Sequence, residues 1–234
     1  MSKRPKIWVT QTWPRAKDSA EDFKALGLDT TVFPVLSVAF SDENIALPSK
    51  DTCLIFTARN GVSAFVKRHS VMEFCQNKII CVGDATAGLA RDNGFENVFS
   101  ANGTASDVIN WVIENCPKSQ SLRHCAGKHV RGRIAETLTE QGYDVEQVEY
   151  YASKPIEQCN IEFGDLEYIA IYSPLGAQTC AKFLAQSDTQ HVSVLSISMA
   201  TDDALGELVF KKRLVSKSPD QAAMLSALHL DLNA

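Results

Sequence analysis

Short apolar runs alternate along this chain with longer stretches of helical spacing. The runs are Ile7 to Thr10, Cys53 to Phe56, Lys78 to Val82, Leu122 to Cys125, Tyr168 to Ile171 and Val192 to Ile197. Each has the length of a strand, and each is followed by a segment of about 10–15 residues with helical spacing. Strands alternating with helices predict parallel sheets flanked by helices. The helices expected are Arg15 to Leu26, one through Phe65 and Val66, one ending near Asn93, one opening at Thr104, one ending near Gln141, Gly176 to Leu184, and one opening at Ser218. Further strands are expected at Thr30 to Val35, Val98 to Ser100, Val145 to Tyr151 and Leu214 to Ser216.

The pattern repeats. Ala20, Glu21, Gly27 and Asp29 recur as Ala135, Glu136, Gly142 and Asp144, an offset of 115 residues. Gly61, Thr86 and Phe95 recur as Gly176, Thr201 and Phe210, and Leu54-Ile55-Phe56 falls on Ile169-Ala170-Ile171. That period is one small domain, not a solenoid repeat. Gly27 and Gly142 each fit the left-handed residue that ends a helix. Thr104-Ala105-Ser106-Asp107 and Ser218-Pro219-Asp220-Gln221 read as capping boxes, the second with proline at the first helical position.

Four strand–helix units, a-b-c-d, therefore occur twice. One division gives two consecutive halves. A nested division pairs the first a with the last b-c-d, over residues 1–34 and 156–234, and leaves the middle b-c-d-a as an inserted domain over 39–149. Segments 34–38 and 150–155 would then be strand-like connectors, a two-crossing hinge, and the ligand would lie in a cleft between the domains.

Composition narrows the chemistry. Hydrophobic residues make up 45% of the chain, enough for real cores, and no apolar run reaches a membrane span or forms a signal peptide. The seven cysteines contain no C-x-x-C pair and read as reduced buried thiols; the five histidines show no metal-ligand spacing. A net charge of −5 argues against nucleic acid. Lys128, His129, Arg131 and Arg133 form a basic cluster before a helix, readable as a solvated face or as an anion site. Gly127 to Gly132 lacks the lysine and hydroxyl of a P-loop, and neither a dinucleotide fingerprint nor a nucleophile elbow is present. What remains is a set of turns at strand ends, whose helix N-termini favour carboxylates or phosphates.

These turns, in this order, resemble those of the uroporphyrinogen-III synthase family. The matching segments are Val9-Thr10, Phe56-Thr57-Ala58-Arg59-Asn60-Gly61, Val82-Gly83-Asp84-Ala85-Thr86-Ala87, Ile171-Tyr172-Ser173-Pro174 and Gly142 to Tyr151. The resemblance implies two similar three-layer α/β domains with parallel, flavodoxin-like sheets, nested and joined by a two-stranded connector. It implies a cytoplasmic, monomeric hydro-lyase that closes hydroxymethylbilane, a linear tetrapyrrole, to uroporphyrinogen III, inverting the last pyrrole ring and releasing water, with no cofactor or metal.

It also implies a site. Tyr151 matches the family tyrosine that helps the hydroxyl leave, with Tyr150 as a competing assignment. Thr10, Thr57, Asn60, Gly83, Thr86 and Ser173 match substrate-binding turns. Arg15 stands in for the arginine that Gln11 displaces from the first turn, and Ser198 and Thr201 match the second G-x-x-T turn. There Met199 and Asp202 are expected to crowd and repel a carboxylate. A non-catalytic two-lobed binding protein for a small polyanion shares these features and is the rival reading, as is a degenerate family member.

Overall fold

The computed structural model describes residues 4–42, 44–130 and 132–233. Contacts divide the chain into two units, Met1–Ser37 with Lys154–Ala234, and Val38–Ser153.

The first unit holds strands β1 (Lys6–Val9) and β2 (Asp29–Val32) around helix α1 (Arg15–Ala25). The second holds β3 (Leu36–Phe40), whose first residues belong to the first unit, then β4 (Cys53–Phe56), α2 (Arg59–Arg68), β5 (Ile79–Cys81), α3 (Asp84–Asp92), β6 (Val98–Ser100), α4 (Ala105–Asn115), β7 (Leu122–Gly127) and α5 (Ile134–Glu140). Strand β8 (Val145–Pro155) then carries the chain back to the first unit. There β9 (Tyr168–Ile171), α6 (Pro174–Leu184), β10 (Ser193–Ser196), α7 (Met199–Asp203), β11 (Lys212–Val215) and α8 (Gln221–Leu232) complete the fold.

The sheet of the first unit has the order β11-β10-β9-β1-β2, all parallel. Numbered within the unit, this is the 2-1-3-4-5 order of flavodoxin-like folds. The second sheet runs β3-β8-β7-β4-β5-β6. From β8 to β6 it is parallel and repeats the arrangement of the first, built from a permuted set of units. Strand β3 is the added edge. Ser41 N donates to Tyr150 O at 2.9 Å and Ile156 N to Val35 O at 3.1 Å, so β3 and β8 run antiparallel.

The central strands are apolar on both faces because helices cover both. In the first unit Ile7 and Val9 pack with Phe23 of α1 and Met224 and Leu228 of α8, while Trp8 and Ile169 face Ala177, Cys180 and Leu184 of α6. In the second, Leu54 and Phe56 meet Val62 and Phe65 of α2, and Cys53 and Ile55 meet Val108 and Val112 of α4 and Leu138 of α5. Burying one such side chain contributes roughly 1.5–3 kcal/mol. Gly27 and Gly142 follow α1 and α5 with φ of +90° and +84°, a backbone that favours glycine.

Helix starts follow the sequence in one place and depart from it in another. At α4 the Asp107 carboxylate accepts from Thr104 N at 2.6 Å and from its hydroxyl at 2.8 Å, the expected capping box. At α8 the cap is Asp220, which accepts from Ala223 N at 2.8 Å, and not Ser218. The Ser218 hydroxyl instead donates to Asp220 Oδ2 at 2.6 Å, which moves the helix start past Pro219. The strand expected to end at Tyr151 continues unbroken to Pro155.

Candidate functional site

In an open parallel sheet, two neighbouring strands whose connections leave in opposite directions open a crevice at their carboxyl ends. In the second unit these strands are β7 and β4, and in the first β1 and β9. Of the expected site residues, Thr10, Thr57, Asn60, Tyr151 and Ser173 follow or flank these strands, while Gly83 and Thr86 follow β5 and Ser198 and Thr201 follow β10.

At the end of β4, Thr57 is half-buried, and its hydroxyl lies 3.1 Å from Nε2 of His124. His124, on β7, is fully buried, and its Nδ1 lies 3.2 Å from Oε1 of Gln147, its register partner on β8. Burial lowers the His124 pKa from its ordinary value, so the ring is neutral at pH 7. Asn60 is half-buried in the first turn of α2. Gly61 beside it is pressed to β7, since a Cβ there would fall 2.7 Å from Cys125 O.

At the end of β7 the ladder slips. Ala126 pairs with Glu149 but Gly127 pairs with Tyr151, leaving Tyr150 as an extra residue on β8. Such a bulge re-aims side chains. Here it brings consecutive tyrosines against the same hydrophobic cluster, with Tyr150 buried inside it and Tyr151 half-buried at its margin. The Tyr150 hydroxyl lies 3.1 Å from His69 Nε2 and accepts from Arg123 Nη1 at 3.4 Å. Burial pushes that phenol well above its ordinary range, which makes it a poor proton donor. Arg123 is itself held by Glu146, its register partner, at 2.6 Å. The Tyr151 ring lies over the backbone of Gly127.

Gly83 caps α3 in extended backbone with open space on its Cα side, and Thr86 is buried one turn in. The first amides of such a helix have no intrahelical partner and face the strand ends.

In the first unit, Thr10 is buried, and its hydroxyl donates to Ala170 O at 2.7 Å, tying β1 to β9. Arg15 is exposed at the first position of α1. Gln11 accepts from Ser19 Oγ at 2.7 Å. Ser173 caps α6, accepting from Gly176 N at 3.1 Å. Ser198 caps the five-residue α7, and its Oγ lies 3.0 Å from the hydroxyl of Thr201, which is fully buried.

One expectation changes here. The Asp202 carboxylate is engaged within its own unit: it is buried, accepts from Ser196 Oγ at 3.1 Å and pairs with Arg213 at 3.2 Å. Met199 does stand exposed at that turn. Of the basic cluster, Lys128 and His129 are exposed, Arg133 pairs with Glu140 across the surface at 3.1 Å, and Arg131 lies outside the described residues. The helix behind them, α5, has seven residues. Sequence reasoning missed His124, Gln147 and Arg123, polar groups in or beside a central strand whose partners come from β8.

Two flavodoxin-like units, one inserted into the chain of the other, define a class of two-domain α/β proteins. Within that class, the family model for HemD uroporphyrinogen-III synthase matches residues 17–226, and the chain belongs to this family. Among solved structures, it is similar to uroporphyrinogen-III synthetase from Helicobacter pylori, with 18% identity, a TM-score of 0.64, and coverage of 98% of this chain and 100% of that one. It is also similar to a mutant uroporphyrinogen III synthase from Thermus thermophilus, with 15% identity, a TM-score of 0.51, and coverage of 98% and 99%. At these identities the likeness is one of fold. No curated protein matches at a significant level.

Proposed function

We propose that this chain cyclises hydroxymethylbilane to uroporphyrinogen III, inverting the last pyrrole ring and releasing water. The observation that carries this reading is the family match over residues 17–226. The bulge that sets Tyr151 beside the end of β7 supports it.

In this reading the substrate carboxylates rest on the amino ends of α2, α3 and α6, where Asn60, Gly83 and Ser173 stand and helix dipoles favour anions. Arg15, exposed on α1, supplies a positive charge for an anionic group. Thr10, Thr86 and Thr201 shape these turns from beneath, and Ser198 offers a shorter helix and a weaker anion position. Tyr151, or a water it holds, protonates the departing hydroxyl. The product is an azafulvene cation and water. The substituted carbon of the last ring attacks that cation to give a spiro intermediate, which fragments and recloses inverted with loss of a proton.

A phenol is a modest acid at neutral pH, so positioning carries much of the rate. The linear substrate can also close uncatalysed to the uninverted isomer. The enzyme therefore has to favour one geometry over another. We read the protein as a cytoplasmic monomer working without cofactor, on the family precedent; no helix among the described residues is long and apolar enough to cross a membrane.

The test is product analysis. Hydroxymethylbilane is supplied, the products are oxidised, and uroporphyrins III and I are separated. Isomer III in excess is expected. Isomer I alone, at the rate without protein, would leave the binding-protein reading in its place.

A further inference from the structure

Thr57 sits at the mouth of a short buried relay. Its Oγ1 lies 3.1 Å from His124 Nε2, and His124 Nδ1 lies 3.2 Å from Gln147 Oε1. The far end fixes the near one. An amide oxygen only accepts, so the imidazole proton resides on Nδ1. A neutral ring with its proton on Nδ1 offers a lone pair at Nε2, and the hydroxyl facing that lone pair must donate.

We infer that His124 locks Thr57 as a hydrogen-bond acceptor, so that Thr57 Oγ1 receives a pyrrole N–H of the substrate instead of donating to one of its carboxylates. His124 is thus a positioning residue, acting through Thr57. The inference rests on the synthase reading and gives Thr57 a role distinct from that of the helix amino ends.

The surroundings keep the ring neutral. Its neighbours are Thr57 at the end of β4, Gln147 on β8, and Glu136 on α5, the charged group that acts on it. Burial opposes a charge on His124 and outweighs the pull of Glu136. Carboxylates on the ligand would want donors, which helix amides supply. Pyrrole N–H groups want acceptors, which helix amino ends lack.

The direct test is nitrogen NMR of the intact protein labelled with ¹⁵N-histidine, with the His124 signals assigned from their loss in His124→Gln. A neutral ring protonated on Nδ1 is expected at neutral pH. Protonation on Nε2, or an imidazolium, overturns the inference whatever the enzyme's activity.

Kinetics provide the second arm. Thr57→Val should raise KM roughly tenfold with kcat within about twofold, as for one lost bond to bound substrate, and Thr57→Ser should restore it. His124→Leu should raise KM roughly threefold or more, and the double variant should be no worse than Thr57→Val. Multiplying losses, or a loss in kcat alone, overturn it. A wild-type protein that yields only isomer I would defeat the synthase reading, while the NMR result would still decide the polarity of Thr57.

Discussion

Tyr151 lies so close over Gly127 that a Cβ at position 127 would fall 2.8 Å from two carbons of its ring and 3.1 Å from its hydroxyl oxygen. The two residues are register partners across the bulge, so the glycine gives the ring the room it occupies. Gly127→Ala should therefore move Tyr151 without touching the substrate directly. We expect kcat/KM to fall about tenfold or more, with a stability loss no greater than about 1–2 kcal/mol. Steady-state assays beside urea unfolding check this. Full activity in Gly127→Ala would show that the ring position does not matter.

The neighbouring tyrosines should separate cleanly. Tyr150 is buried with its hydroxyl between His69 and Arg123. Tyr150→Phe leaves those groups short of a partner and should cost about 1–3 kcal/mol of stability. Tyr151→Phe should lower kcat, and only partly, because water can also protonate the leaving hydroxyl. If Tyr150→Phe abolished turnover while Tyr151→Phe retained it, the assignment would be reversed.

The sequence made the architecture legible because its signals are local. Fully buried parallel strands leave unbroken apolar runs such as Cys53–Phe56, and Gly27 and Gly142 mark helix ends through their own backbone. The repeat then makes strand order an inference from eight units, not from one. The site was less legible because its signals are cross-strand. Period-two alternation places Tyr150 and Tyr151 on opposite faces, and only the slip between Ala126 and Gly127 puts both against one cluster. Arg123 and His124 look misplaced in an apolar strand until register sets Glu146 and Gln147 opposite them. At α8, Ser218 and Asp220 both satisfy cap preferences, and spacing alone does not choose between them.

Acid should weaken the fold through two histidines. Burial lowers the pKa of both His69 and His124 below 6.5, their ordinary value. The unfolded chain then takes up protons that the folded chain refuses. Their contribution is complete above pH 6.5 and is lost as pH falls from there toward the folded values. Each can remove up to about 1.4 kcal/mol per pH unit in that window. Urea midpoints at about pH 7.5 and 5.5 should differ more for wild type than for His124→Gln. Equal differences would mean that His124 titrates normally in the folded protein.

Asp202 allows a final prediction, because its sequence position suggests repulsion of the substrate and its surroundings do not. The carboxylate is buried, accepts from Ser196 and pairs with Arg213, which also donates to Gly206 O at 2.8 Å and Leu208 O at 3.1 Å. Its charge is spent holding β10, α7 and β11 together. Asp202→Asn should therefore leave KM within about twofold of wild type while lowering stability. Arg213→Met removes the partner and leaves a buried carboxylate. The cost should be about 1–3 kcal/mol, below the 3–5 of a fully enclosed pair, because the arginine side chain is 31% exposed. A several-fold drop in KM for Asp202→Asn would show instead that the carboxylate had been repelling the ligand, and the turn at Ser198 would have to be read as a substrate contact weakened by its own charge.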